Sequence, residues 1–163
     1  MESKLYSSLD LKELKHFKEL AAAFCEVESF QNARALYWNL NDYETSLSYD
    51  NLSYYIRAQN FNECAEMDAF VIFLQFKDYE SEIEIYQWSV KEKSKGNGLK
   101  FFNEFLSYCK TKGIKRILLE VGHLNTAAIK IYEMCGFRQT ARRKEYYKSG
   151  EDSLLYELII LKP

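Results

Sequence analysis

The sequence of 163 residues contains one proline, and that is its last residue, Pro163. Chain reversals therefore fall to Gly, Asn, Asp and Ser, the other residues that readily take turn geometry. Histidine is nearly as scarce, with only His16 and His123. The four cysteines, Cys25, Cys64, Cys109 and Cys135, form no CxxC pair, and with the two histidines they give no zinc-ligand spacing. No metal is expected, and the thiols are expected to be reduced and mostly buried. No stretch is long and apolar enough to span a bilayer, and residues 1–10 lack the apolar run of a signal peptide. The expectation is a cytoplasmic protein with no membrane partner. Positive charge is not in surplus: 22 Lys and Arg stand against 24 Asp and Glu, with a pI near 5.8. Composition thus gives no reason to expect direct contact with nucleic acid. No linker or internal repeat divides the chain, so residues 1–163 are expected to fold as a single domain burying roughly two-thirds of its unfolded surface.

What is abundant is aromatic, with 13 Tyr and 11 Phe. The first third reads as helical. Leu11, Leu14, Phe17, Leu20 and Ala21 recur at helical spacing behind Asp10 as a cap, and residues 29–40 suggest a second helix before a polar stretch at 41–50. The period then changes, and strands are predicted at 52–58, 69–76 and 83–90. In the third, Ile83 and Ile85 lie on one face while Tyr86, Trp88 and Val90 lie on the other. Such a slip of phase is what a β-bulge produces, though a strand buried on both faces would read the same way. A helix follows Gly96 and Gly98, with Leu99, Phe102, Phe105, Leu106 and Cys109 as its apolar stripe and Gly113 as its C-terminal cap. A strand at 114–121, a short helix at 126–135 capped by Asn125 and ended by Gly136, and a hairpin of 137–147 with 153–161 complete a mixed α/β (α+β) domain.

Two segments carry chemistry. Lys93-Ser94-Lys95-Gly96-Asn97-Gly98 joins a strand to a helix, and amides at a helix start form an anion site that glycine lets a ligand approach. Neither GxGxxG nor GxxxxGK[ST] is present, so neither a dinucleotide fold nor a P-loop is indicated. The second segment runs from Leu118 to Phe137. Glu120, at the end of a buried strand, is a candidate general base because burial raises a carboxyl's pKa; Tyr132, on the next helix, is a candidate acid. Taken singly, Glu120 also reads as a solvent-facing strand end and Tyr132 as a core residue beside Ala128 and Ile129.

Taken together and in order, these segments resemble the GNAT superfamily of acyl-CoA-dependent N-acetyltransferases. The shared arrangement is a bulged strand, a glycine loop opening a helix, a strand, and then N-x-x-A-I-x-x-Y-x-x-x-G-F, which is matched here from Asn125 to Phe137. Leu119-Glu120-Val121, Asn125 to Ile129, Tyr132-Glu133, Gly136-Phe137 and Arg142 to Tyr147 are similar to the RimI-like branch, which acetylates the N-terminal alanine of a ribosomal protein. The resemblance covers residues 69–161. It implies a GNAT fold: a central, mostly antiparallel mixed sheet, splayed at the bulged strand and flanked by helices.

It also implies roles. Acetyl-CoA is the cosubstrate, its pyrophosphate held by backbone amides at Ser94, Lys95, Gly96, Asn97, Gly98 and Leu99. The pantetheine arm lies along Trp88, Ser89 and Val90, with Asn125 and Tyr132 also at the cofactor. Glu120 is the implied base, Tyr132 the acid, and Glu120 with Tyr147 lines the acceptor site. The acceptor is a peptide or protein N-terminus, such as that of a ribosomal protein, and the enzyme is a monomer or homodimer. The alternatives are an acetyltransferase for a small amine, such as a polyamine, amino sugar or drug, and a non-catalytic acyl-CoA sensor. This chain departs from the RimI pattern at Lys93, where Gln or Arg is usual, in a shorter segment from Val90 to Gly96, and at Gly122 and His123. His123 is open to two readings, a second base or a polar turn residue.

Overall fold

The computed structural model describes residues 2–7, 22–23, 39–49, 51–58, 67–76, 79, 81–92 and 96–160. Seven strands form one sheet: β1 (Glu2–Ser7), β2 (Leu52–Ala58), β3 (Met67–Gln75), β4 (Glu82–Val90), β5 (Arg116–Gly122), β6 (Arg138–Arg143) and β7 (Ser153–Ile159). Their spatial order is β1-β2-β3-β4-β5-β7-β6, and every neighbouring pair is antiparallel except β4 and β5. The parallel pair needs a crossover, which helix α2 (Asn97–Thr111) supplies; α1 (Leu40–Ser48) precedes β2 and α3 (Thr126–Met134) follows β5. This is the mixed, mostly antiparallel sheet flanked by helices expected of a GNAT fold. Among the described residues, no helix is long and apolar enough to cross a membrane.

Alternation sets which way β5 faces. Ile117, Leu119 and Val121 are buried in the core against α2, whose Phe102, Phe105, Leu106 and Cys109 are buried as expected from the sequence. Phe101 is buried with them, while Leu99, read as part of the stripe, is only half-buried. Arg116, Leu118 and Glu120 therefore fall on the opposite face of the sheet. Arg116 ties three strands there, bonding Glu82 of β4 at 3.1 Å and Glu157 of β7 at 2.5 Å. Gly113, at φ +74°, ends α2 in the left-handed turn expected of it.

The slip of phase in β4 is a bulge centred on Tyr86. Ile72 faces Gln87 while Phe73 faces Ile85, so Tyr86 has no partner on β3. Tyr86 is thrown outward, and Trp88 and Val90 return to the core face already occupied by Ile83 and Ile85. Pairing with β5 stops at the same point: the register runs from Glu82↔Arg116 to Ile85↔Leu119 and no further. Beyond Ile85 the two strands part.

Two expectations for the N-terminal third are corrected. The chain enters the sheet as a strand, β1, rather than beginning with helices. Residues 40–48, read as a polar stretch, form α1. Asn39 accepts from the amide of Asp42 at 3.2 Å and its own amide donates to the Asp42 carboxylate at 2.7 Å, a capping box that satisfies two otherwise orphan donors. Tyr43 of α1 is fully buried, edge-on to Phe70. The predicted helix at 11–21 lies outside the described residues, as does that at 29–40 save Asn39, which caps α1, and Leu40, which opens it. In the hairpin, β6 ends at Arg143 instead of reaching Tyr147. Residues 144–152 form the turn, which carries Glu145 at φ +49° and a Tyr147 amide that donates to the Glu151 carbonyl.

Candidate active site

Where β4 and β5 part, they leave a cleft of about 730 Å³ whose walls come from both strands, the starts of α2 and α3, and the β6–β7 turn. At one end stands the start of α2. Gly96 caps it at φ +78°, and among the described residues there is no side-chain capping bond. A 15-residue helix thus turns its first N–H groups, which have no intrahelical partner, and the positive end of its dipole to the cleft. Gly96, Gly98 and Leu99 line the cleft; Asn97 does not. Gly98 is tight: a Cβ there would come within 3.3 Å of Ile131 and 3.7 Å of Trp88. Ser94 and Lys95 lie outside the described residues.

At Gly96 the space is open, with no atom within 4 Å of where a Cβ would stand, but the backbone is left-handed. Gly96→Val therefore strains the turn and puts a branched side chain before the first amides of α2. We expect the Kd for acetyl-CoA, read by calorimetry, to rise about tenfold or more, since each ~1.4 kcal/mol is worth that factor. An unchanged Kd would place the anion site elsewhere.

Along the middle of the cleft, Trp88 and Val90 line the wall beyond the bulge, whereas the Ser89 side chain is fully buried and faces away. Across from them, Asn125 caps α3 by accepting from the Ala128 amide at 3.3 Å, and it too lines the cleft. Tyr132, one helical turn or more further on, is held among Phe102, Phe137 and Tyr156, with centroids 5.5, 5.8 and 6.1 Å away. The Trp88 indole donates to its hydroxyl at 2.8 Å. Burial raises the Tyr132 pKa well above the ordinary phenol value, so at neutral pH its oxygen carries a proton.

The opposite wall is polar. One oxygen of Glu120 accepts from Arg143 of β6 at 2.6 Å and the other from the Ser153 hydroxyl of β7 at 3.2 Å. Sheet register explains the meeting: Arg143 pairs with Ser153, and Ser153 with Gly122, two residues from Glu120. Glu120 therefore sits in a polar ring at the end of the buried strand. Tyr147 shares a hydrogen bond with Ser153, and burial raises its pKa. Tyr146 stands edge-on to Tyr147 and receives the Arg143 guanidinium 5.1 Å above its ring. Glu84 of β4 also lines the cleft; burial first, then the charge of Glu120, raises its pKa, and Arg143 opposes the shift. His123 lies outside the lining residues. Its Nδ1 accepts from the Asp152 amide at 3.2 Å, which makes it a turn residue.

Glu120, Tyr132, Asn125, Tyr147, Trp88, Val90, Gly96, Gly98 and Leu99 are thus brought to one cleft. Glu84, Arg143 and Ser153 were missed. Only the register of β4, β5, β6 and β7 joins them to Glu120, and no local motif marks it. Among the described residues, no group of three His, Cys, Asp or Glu side chains is arranged to hold a metal ion.

The family model for acetyltransferase (GNAT) proteins matches residues 15–137, most of the chain. A comparison with curated proteins finds no match. Among solved structures, the fold is similar to that of the ribosomal-protein-S18-alanine N-acetyltransferase of Escherichia coli, at 22% identity and a TM-score of 0.71, covering 99% of this chain and 96% of that one. It is also similar to the NatC complex bound to Gag peptide and CoA (16% identity, TM-score 0.66, 99% and 100% covered). A Bacillus subtilis acetyltransferase in complex with CoA matches over 68% of this chain and 78% of that one, at 21% identity and a TM-score of 0.55. The chain belongs to the GNAT family of acetyltransferases and is an acetyl-CoA-dependent N-acetyltransferase.

Proposed function

We propose that the protein acetylates the N-terminal α-amine of a peptide or protein that begins with a small residue such as Ala. The observation that carries this reading is the charge at the acceptor wall: among the described residues, two carboxylates, Glu84 and Glu120, line it, and one guanidinium, Arg143, not itself a lining residue, bonds Glu120. That balance suits a single ammonium group. A polyamine would bring further cations, with Arg143 to repel them. Tyr86 and Tyr146, each exposed and lining the cleft, add aromatic walls for the first residues of a peptide. Structural neighbours named as a ribosomal-protein-S18-alanine N-acetyltransferase and as the NatC complex bound to Gag peptide and CoA, each aligned over 99% of this chain, support the reading.

The cleft fits acetyl-CoA, with a glycine-capped helix start for phosphate at one end and, along its middle, a strand edge that β5 does not pair. Gly96, Gly98 and Leu99, with Ser94, Lys95 and Asn97 of the same loop, hold the pyrophosphate; the main chain of Trp88, Ser89 and Val90, with Asn125, holds the arm. Acetyl-CoA supplies the activated acetyl thioester. Tyr132 keeps a proton at its hydroxyl, oriented by Trp88, and serves as the acid. Glu120 takes the proton of the acceptor amine, and Tyr147 borders that amine. Holding amine and thioester in line contributes much of the rate.

An α-amine with a pKa near 8 is about one-tenth neutral at pH 7, against about 0.04% for a lysine amine, so one carboxylate base suffices only for the former. The test compares kcat/KM for an Ala-initiated peptide, its N-blocked lysine-containing form, and spermidine. The free N-terminus should win by about tenfold or more. A tenfold preference for spermidine would leave the acetyltransferase assignment standing and remove this acceptor.

A further inference from the structure

We propose that Arg143 is a positioning residue of the site: it aims Glu120 into the cleft and is the counter-ion that lets Glu84 and Glu120 stand together as two carboxylates. The inference rests on the reading of Glu120 as base. The geometry begins with the parallel register. Glu84 lies opposite Leu118, so Glu120 is its diagonal neighbour on the same face, one residue past the last β4–β5 pair. Diagonal neighbours on a sheet are about 7–8 Å apart at Cα, close enough for like charges to repel when partly desolvated.

The groups that face this pair among the described residues are few. From β6 comes Arg143, from β7 Ser153, and from the turn Tyr146 and Tyr147, with Glu151 acting on Tyr147. From β4 itself comes Tyr86, on which the Glu84 charge acts. Arg116, the other diagonal neighbour of Glu84, is bound to Glu82 and Glu157. Arg143 is the cation in contact with Glu120, and its charge also reaches Glu84. No side chain among the described residues donates a hydrogen bond to the Glu84 carboxyl. The ring of Tyr146 covers one face of the guanidinium and leaves its edge on Glu120. A lysine ammonium would keep the charge but not that planar fit.

Without Arg143, the two carboxylates would share a proton, and their titration would become that of a coupled pair. The pair would then be protonated to higher pH, leaving less free base at neutrality. Removing the second carboxylate should undo the effect, which loss of a merely structural arginine would not allow.

The experiment is a carboxyl-carbon NMR titration of the full chain labelled at Glu, with signals assigned through Glu84→Gln and Glu120→Gln. In Arg143→Gln the midpoint of one of the two carboxyls should rise by about one pH unit or more, the usual scale for loss of an adjacent opposite charge. In Arg143→Lys most of that rise should be absent, and in the Glu84→Gln/Arg143→Gln double variant Glu120 should return towards its wild-type midpoint. If Arg143→Gln does not fold, Glu120→Gln alone still tests the coupling: it should lower the Glu84 midpoint, because the repelling charge is gone. Midpoints that stay fixed in Arg143→Gln, or that the second substitution does not restore, overturn the proposal. The acid limb of kcat/KM, measured on the same variants with an Ala-initiated peptide, should follow the NMR midpoints. If the midpoints move and the limb does not, Arg143 keeps its role and Glu120 loses that of base.

Discussion

Tyr132→Phe is expected to lower kcat by about 10²–10³-fold, the range that a positioned general acid contributes. The ring contacts with Phe102, Phe137 and Tyr156 survive the substitution; only the hydroxyl goes. Its loss deprives the Trp88 indole of its acceptor, at a cost of about 1 kcal/mol because Trp88 borders the cleft and water can replace the bond. Thermal melting should therefore fall by only a few degrees, while the KM for acetyl-CoA changes little. A variant that melts normally and turns over at the wild-type rate would remove Tyr132 from the chemistry.

Glu120→Gln should cost about 10²-fold at pH 7, again on the scale of general base catalysis. The loss should shrink to less than about tenfold at pH 9, where an α-amine of pKa near 8 is about nine-tenths neutral without help. The sign follows from the amine: raising pH does outside the protein what the carboxylate does inside it. Gln keeps an oxygen for Ser153, and the Arg143 it leaves unpaired is half exposed, so the fold should tolerate the change. A constant loss across pH 7–9 would show that Glu120 orients the substrate without taking its proton.

Much of this site was legible in the sequence alone. Gly96, Asn125, Tyr132 and Gly136 belong to motifs whose meaning is local: a left-handed cap, a helix start, an apolar helix face. The β4 bulge was legible because a bulge writes itself into the alternation of Ile83, Ile85, Trp88 and Val90. The polar ring around Glu120 was not. Arg143 and Ser153 are far from Glu120 along the chain, and a strand as exposed as β6 shows no alternation from which to read its register. The same blindness hid α1, whose buried face is carried by Tyr43 and Ser46 among polar neighbours. Helical spacing of strongly apolar residues is the signal a reader uses, and there it is weak.

The four-residue pairing of β4 with β5 has one more consequence. Among the described residues, it and the bonds from the Lys115 and Arg116 amides to the Ser81 carbonyl beside it make the backbone seam between the β1–β4 half of the sheet and the β5–β7 half. Past that seam, among the described residues, no strand pairs with β4 on the side away from β3, where the amides of Trp88 and Val90 are the ones to watch. In the free protein they should exchange with solvent within the dead time of a mixing experiment, while Ile83 and Ile117 stay protected. A ligand laid along that edge does the work of a missing strand. Saturating acetyl-CoA should therefore slow exchange at those amides more than at any others of the sheet, so the cosubstrate acts as a temporary stitch between two halves that strand pairing joins over only four residues.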